Sequence, residues 1–288
     1  MSAAEMTGVT DAPRRARQRS LGWVFWVAVV WIGVVLFGAL AANLLPLDDP
    51  SKISLLARRQ GPSALHLFGT DHLGRDVLSR VVYGSRASLS VGLISAFLGL
   101  LAGGTLGLLA GYFRGRLESL TMATMDVLLA FPPLVLALAI IAYLGQNVVN
   151  LTLTLALLSV PAATRVARAA TLAISAREFV VAARALGASH LRVMLRELLP
   201  NVVLPLMVFT LITVAVLIVA EGALSFLGLG VPPPMASWGS MMSEGREQLD
   251  VAPHMAFIPA SVMFLTVLSF NLVGDTLRSL IDPRRAAL

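Results

Sequence analysis

Six stretches of this chain are each apolar for long enough to cross a lipid bilayer, and nothing else constrains its fold so tightly. A spanning helix needs roughly 20 mainly apolar residues. The runs fall near 21–45, 87–112, 120–144, 148–166, 202–226 and 255–276. In hydrocarbon every backbone N–H and C=O must be satisfied within the protein, so segments of this length are helices. The chain is 57% hydrophobic and 13% charged, against about a quarter charged in a soluble domain. The expectation is an all-α integral membrane protein of six transmembrane helices with no soluble domain of useful size.

Cysteine is absent, which removes disulfides, thiolate metal sites and cysteine nucleophiles from consideration. The run at 21–45 follows the basic "PRRARQRS" and is too long for a cleaved signal sequence, so it is read as a retained first span. With six spans both termini share one side. That side collects Arg14, Arg15, Arg17, Arg19, Arg114, Arg116, six arginines from 165 to 196, Arg278, Arg284 and Arg285. The opposite side has Lys52, Arg58, Arg59, Arg75, Arg80, Arg86 and Arg246. The positive-inside rule therefore predicts a multi-pass protein of the bacterial cytoplasmic membrane with both termini in the cytoplasm. It also accounts for the net charge of +6 without nucleic acid. The resulting division is a basic tail at 1–20, a first span at 21–45, an extracytoplasmic loop at 46–86, a core at 87–276 and a cytoplasmic tail at 277–288.

Inside the second span Gly99, Gly103, Gly107 and Gly111 recur every four residues, laying a strip without side chains on one helix face for a close helix contact. Pro132 and Pro133 are expected to bend or unwind the third span. Asp126 and Asp275 are expected to hold helices together through arginines such as Arg165, Arg168 or Arg278.

The most charged stretch, "REFVVAARALGASHLRVMLRELLPN" at 177–201, lies between two spans. Phe179, Ala182, Ala183 and Leu186 share one helix face, with Arg177 and Arg184 off it. Gly187 interrupts, Ser189 can cap a second helix with an apolar strip of Leu191, Leu195 and Leu198, and Pro200 is expected to close that helix before the next span. Two readings fit this pattern: an interfacial linker with arginines at lipid headgroups, or a smooth protruding corner shaped for another protein's groove.

The stretch "AARALGASHLRVMLRELLPN" resembles the cytoplasmic coupling loop of permease subunits in binding-protein-dependent ABC importers. Ala182, Ala183, Gly187, Leu199, Pro200 and Asn201 match that loop's pattern. Val181 occupies the family's glutamate position and Glu178 lies one turn earlier, so a salt bridge made by that glutamate is absent or relocated. "FGTDHLGRDVLSRVVYGSRASL" at 68–89, "AEGALSFLGLGVPPPMASWGSMM" at 220–242 and "FNLVGDTLRSLIDPR" at 270–284 resemble the C-type permease of the dipeptide, oligopeptide and nickel subgroup. His254 stands where that subgroup often has Trp.

The resemblance implies the type I ABC importer permease fold and a heterodimer with a homologous permease. It also implies two cytoplasmic ATPase subunits docked on the coupling loop, an extracytoplasmic binding protein, and dipeptides or oligopeptides as cargo. Nickel, glutathione or another small solute is the alternative cargo. Coupling-loop candidates are Glu178, Ala182, Ala183, Arg184, Leu186, Gly187, Ser189, Pro200 and Asn201. Candidates for the pathway or the binding-protein side are Glu221, Ser225, Trp238, Asp71, Arg75 and Asp76.

The ATPase is expected on separate subunits, which would bind ATP and Mg. A Walker A loop needs a lysine after a glycine-rich turn, and the only lysine, Lys52, lies in "DDPSKIS". No cofactor or catalytic residue is expected in this chain. His66, Asp71, His72 and Asp76 lack a recognised metal-ligand spacing, so no metal is expected either. A secondary transporter would show inverted repeats and midplane charges; an intramembrane enzyme would show a nucleophile or metal constellation. Neither pattern is present in the sequence.

Overall fold

The computed structural model describes residues 21–281; the expected tail at 1–20 and the last seven residues of the one at 277–288 lie outside the described residues. The described chain is helical. It runs α1 Trp23–Ala41, α2 Val77–Phe113, α3 Gly115–Leu129, α4 Pro133–Leu144, α5 Val148–Ser175, α6 Glu178–Ala185, α7 His190–Arg192, a π-helical segment Val193–Leu198, α8 Leu199–Phe226, α9 Trp238–Arg246 and α10 His254–Ile281. Five helices are long and apolar enough to cross a membrane, α7 through α8 counting as one continuous helix. Counted as one broken span, α3 with α4, which meet at an 84° bend, make a sixth. That break falls at Ala130–Pro132, where Pro132 and Pro133 interrupt the hydrogen-bond ladder as expected.

Helices α2 and α5 outrun their apolar stretches, α2 because a polar residue caps it further out. Asp76 accepts a hydrogen bond from the Ser79 backbone N–H at 2.7 Å, which starts α2 ten residues before the expected 87 and converts the end of the 46–86 loop into helix. The 37 residues of α2 span about 55 Å at 1.5 Å each, well beyond the roughly 30 Å hydrocarbon core. Asn147 caps α5 by accepting from the Asn150 N–H at 2.7 Å, and α5 continues to Ser175 rather than stopping near 166.

The glycine strip of α2 lies against α5. A Cβ added at Gly103 would stand 2.6 Å from the Val160 carbonyl oxygen, one at Gly107 2.4 Å from that of Thr164, one at Gly111 2.9 Å from that of Arg168, and one at Gly99 would overlap Ser159 Oγ. Ser159, Ala163, Ala167 and Thr171, also four apart, form the facing row. Two parallel helices thus close to backbone contact, where dispersion rather than hydrophobic transfer holds them. Elsewhere Arg86 of α2 caps the end of α1: its guanidinium donates to the carbonyls of Ala39 and Leu40 and, at 2.9 Å, to Asn43 Oδ1. Trp31 Nε1 donates to Thr266 Oγ1 at 3.1 Å, joining α1 to α10.

The bundle has two ends. One, the corner end, carries α6 and α7. The other, the loop end, carries residues 42–76 and the 227–253 segment that contains α9.

Candidate functional site

At the corner end α6 sits on a buried base. Val180 is fully buried among Leu108 and Tyr112 of α2, Ala167 of α5, and Val193, Met194 and Leu198. The helix ends in a Schellman motif: the Ala188 N–H donates to the Ala183 carbonyl and the Gly187 N–H to that of Arg184, both at 3.0 Å. Gly187 has φ +81°, a left-handed conformation that favours glycine. Ser189 Oγ accepts from the Arg192 N–H at 3.4 Å and caps the next helix.

Of the helix face expected over Phe179, Ala182, Ala183 and Leu186, all but the half-buried Ala183 are exposed. Leu186 is 89% exposed, and Phe179, Val181, Ala182 and Gly187 are exposed beside it. A Cβ at Gly187 would meet nothing within 4 Å, so its side is open for a partner. The Arg184 guanidinium lies 4.7 Å above the Tyr112 ring, and the Tyr112 hydroxyl hydrogen-bonds His190 Nδ1 at 2.8 Å.

Two expectations need correction. Pro200 does not close the second short helix; His190 to Phe226 is one continuous helix. The widened turn at Val193–Leu198, in which the Leu199 N–H reaches back to the Met194 carbonyl, makes room for the proline ring without breaking the chain's course. The same widening rotates the buried face, so Val193, Met194 and Leu198 point inward while Leu191 and Leu195 are exposed.

Beside the corner a cavity of about 1390 Å³ opens between α5, α6, α8 and α10. Ile174, Phe179 and Phe209 line its walls, and Arg177, Glu178, Asn201 and Arg278 contribute polar groups. Asn201 Nδ2 donates to the Glu197 carbonyl at 2.7 Å. Arg165 meets Asp126 at 2.5 Å and Arg168 pairs with Glu118, tying α3 to α5. Asp275 pairs with none of the described arginines.

At the loop end the side chains of Asp71, Arg75, Arg80 and Glu244 converge. Arg75 donates from Nε to Asp71 at 2.5 Å and from Nη2 to Glu244 at 2.7 Å. Arg80, only 2% exposed, donates from Nη2 to both Glu244 oxygens at 3.1 Å, and its Nε lies 3.5 Å from Asp71. Two acids and two guanidiniums thus neutralise one another between the loop and α9. Asp71, His72 and Glu244 have ligand-type atoms within 4.8 Å of one another, yet both carboxylates are engaged by Arg75 and Arg80. Asp76, besides capping α2, lies 3.0 Å from His66 Nδ1. His254 Nε2 donates to the Thr70 carbonyl at 3.1 Å, fastening α10 to the loop.

Deeper in the bundle Glu221, fully buried on α8, gathers a second polar group. Ser88 donates to its Oε2 at 2.9 Å and Ser225 to its Oε1 at 2.6 Å. The lone pairs of those hydroxyls are taken in turn. Ser88 Oγ accepts from the Trp238 N–H at 3.2 Å, and Ser225 Oγ accepts from the Val231 N–H at 3.2 Å and from the Ser237 hydroxyl at 3.3 Å. Trp238, also fully buried, donates from its indole to the Val81 carbonyl at 3.1 Å. The structure therefore brings Glu221, Ser225 and Trp238 into one network, and Asp71 and Arg75 into another, with Asp76 at its edge. Sequence reasoning missed Ser88, Ser237, Arg80, Glu244, Tyr112 and His190. Glu244 alone carried a signal, being an acid within the apolar and small residues of "SWGSMMSEG".

The profile of the family described as "Binding-protein-dependent transport system inner membrane component" matches residues 103–287. The chain is 41% identical to the glutathione transport system permease protein GsiD of Pectobacterium atrosepticum over 85% of its own length and 81% of that protein's. It is 40% identical to the protein of the same name from Escherichia coli O157:H7 over 94% and 89%. Among solved structures it resembles a chain from inward-facing conformations of the MetNI methionine ABC transporter, with a TM-score of 0.57, 20% identity, and 70% and 96% of the two chains covered. At that identity the likeness concerns the fold alone.

Proposed function

The chain belongs to the family of binding-protein-dependent transport system inner membrane components, and from that premise we propose that it forms half of an import pathway for small peptides, glutathione among them, powered by ATPases on separate subunits. It is a multi-pass permease of an ABC importer with the type I permease fold. The partners read for it are a homologous permease, two ATPases that bind ATP and Mg, and an extracytoplasmic binding protein.

The observation that carries the division of labour is the corner. A Schellman turn at Gly187 presents Leu186 at 89% exposure beside small residues, on a rigid buried base at Val180. An exposed apolar tip on a fixed base fits a protein groove better than a lipid surface, because headgroup contact asks for no fixed geometry. Glu178, Ala182, Ala183, Arg184, Leu186, Gly187 and Ser189 form this dock, with Pro200 and Asn201 shaping the helix behind it. The corner end is then cytoplasmic, as the arginine distribution supports, and the loop end faces the binding protein. There Asp71, Arg75 and Asp76 order the loop, while Glu221, Ser225 and Trp238 frame the outer end of the pathway from within.

Glutathione is itself a tripeptide, so the relatives' name and a peptide subgroup point to one cargo chemistry. Reconstitution with partner subunits and binding protein tests it, using reduced glutathione, Ala-Ala and nickel ion as probes of ATP hydrolysis. Stimulation by either peptide is expected. Stimulation by nickel alone overturns the cargo assignment, and ATP hydrolysis by this chain alone overturns the separate ATPase.

A further inference from the structure

We propose that α2, closed onto α5, is the stiff element that carries displacement between the two faces of this permease, and that Tyr112 is the positioning residue through which it sets the corner. This rests on the corner being the ATPase dock.

At the loop end α2 is fastened to the 221–244 region over little more than two turns. Arg80 reaches Glu244 at 3.1 Å, the Val81 carbonyl accepts from the Trp238 indole at 3.1 Å, and Ser88 joins Glu221 to the Trp238 backbone. At the corner end Tyr112 carries Arg184 on its ring face and His190 on its hydroxyl. These two contacts fall on either side of the Gly187 turn. One residue of α2 therefore holds both limbs of the corner.

Between these ends α2 is continuous over 37 residues without proline. Its glycines would make it pliable alone, but along the strip its backbone abuts the Val160, Thr164 and Arg168 carbonyls of α5. No α2 side chain stands between the two backbones along the strip, and on that direct contact the two helices tilt as one body. Another helix that joins both ends is α7 through α8, and its hydrogen-bond ladder is interrupted where it leaves the corner by the π segment at Val193–Leu198, Pro200 and Pro205. Those interruptions absorb rotation locally. Packed interfaces switch between discrete arrangements rather than deform smoothly, so a shift at Arg80–Ser88 arrives at Tyr112 largely undiminished.

The test uses the reconstituted complex, its binding protein loaded with whichever of the three probes stimulates the wild type. The readout is the ratio of stimulated to basal ATP hydrolysis, alongside co-purification of the ATPases. Tyr112→Ala and Ser88→Ala should each lower that ratio about threefold or more while co-purification and basal hydrolysis hold. Tyr112→Phe, which keeps the ring beneath Arg184 but loses the hydrogen bond to His190, should fall between the wild type and Tyr112→Ala. Because both variants cut the same link, the double variant should fall no further than the worse single. An unchanged ratio in Tyr112→Ala, or a double variant whose loss is the product of the singles, overturns the proposal. Loss of co-purification in Tyr112→Ala overturns it too, since Tyr112 would then belong to the dock. Should Tyr112→Ala fail to reach the membrane, His190→Ala must lower the ratio in its place. The dock itself is judged separately: normal ATPase co-purification in Gly187→Asp refutes it whatever Tyr112 does.

Discussion

The Ser88 hydroxyl on α2 donates to the Glu221 carboxylate on α8 across 2.9 Å, and both residues are wholly or almost wholly out of solvent. Among the described residues no cation reaches that network; its donors are hydroxyls whose own lone pairs are held by the N–H groups of Trp238 and Val231. The hydroxyl chains through Ser88 and Ser225 both terminate on Glu221. The residue thus organises the segment beyond α8 from inside the bundle.

Replacing Glu221 with Ala should therefore destabilise the chain by about 2–4 kcal/mol, combining a buried cavity with two stranded hydroxyl donors. Glu221→Gln, which keeps the volume and one acceptor, should cost roughly half of that. Thermal unfolding in detergent reads the order Glu, Gln, Ala; equal melting of all three would show that the network holds nothing.

The α2–α5 contact makes a contrast between neighbouring glycines. A Cβ at Gly107 would lie 2.4 Å from the Thr164 carbonyl and 2.5 Å from Ala167 Cβ, whereas one at Gly104 would find only side-chain carbons at 3.7 and 3.8 Å. Gly107→Leu should prevent accumulation of folded protein. Gly104→Ala should be tolerated and gain about 0.5–1 kcal/mol from reduced backbone freedom in the unfolded chain. Yield and melting temperature of the two variants check this, and a well-folded Gly107→Leu protein would contradict the packing.

Gly187→Asp places a charged side chain where the backbone has φ +81° and where the proposed dock meets its groove. Strain of roughly 1 kcal/mol in the isolated permease is small, so the variant should still reach the membrane. ATPase co-purification and uptake should both be lost, as they should be in Ala183→Asp. Arg192→Ala, an exposed arginine away from the Gly187 tip, should be mild.

For topology, a reporter inserted near Ser189 and one fused after Leu288 should signal from the cytoplasm, and one near Leu55 from outside. An outside signal at Ser189 would remove the corner from the reach of any cytoplasmic ATPase.

How much was written in the chain differs from one feature to the next. The number of crossings, the break at Pro132–Pro133 and the glycine strip were legible because each depends on local properties: run length, a missing N–H, a missing side chain. Gly187 and Ser189 were legible for the same reason, since caps and turns are set by residues a few positions apart. Helix ends were less so. Asp76 extended α2 and the π segment carried the chain past Pro200, because a cap or a widened turn outweighs the limit of an apolar run.

Sequence alone determined that this is a helical membrane protein, because apolar runs of this length satisfy their backbone polar groups in hydrocarbon as helices; the charged stretch at 177–201 it left open between a linker and a protruding corner. It offered a glycine strip without its partner, and Glu221 without its donors. Only the tertiary structure decided that α5 faces the strip, that Arg80 meets Glu244 across 164 positions and that Tyr112 meets His190 across 78. Those pairings depend on which helices lie side by side, and the apolar faces that drive helices together are too alike in lipid to specify neighbours. The choice falls to small-residue fit and to a few polar groups that have no water to turn to.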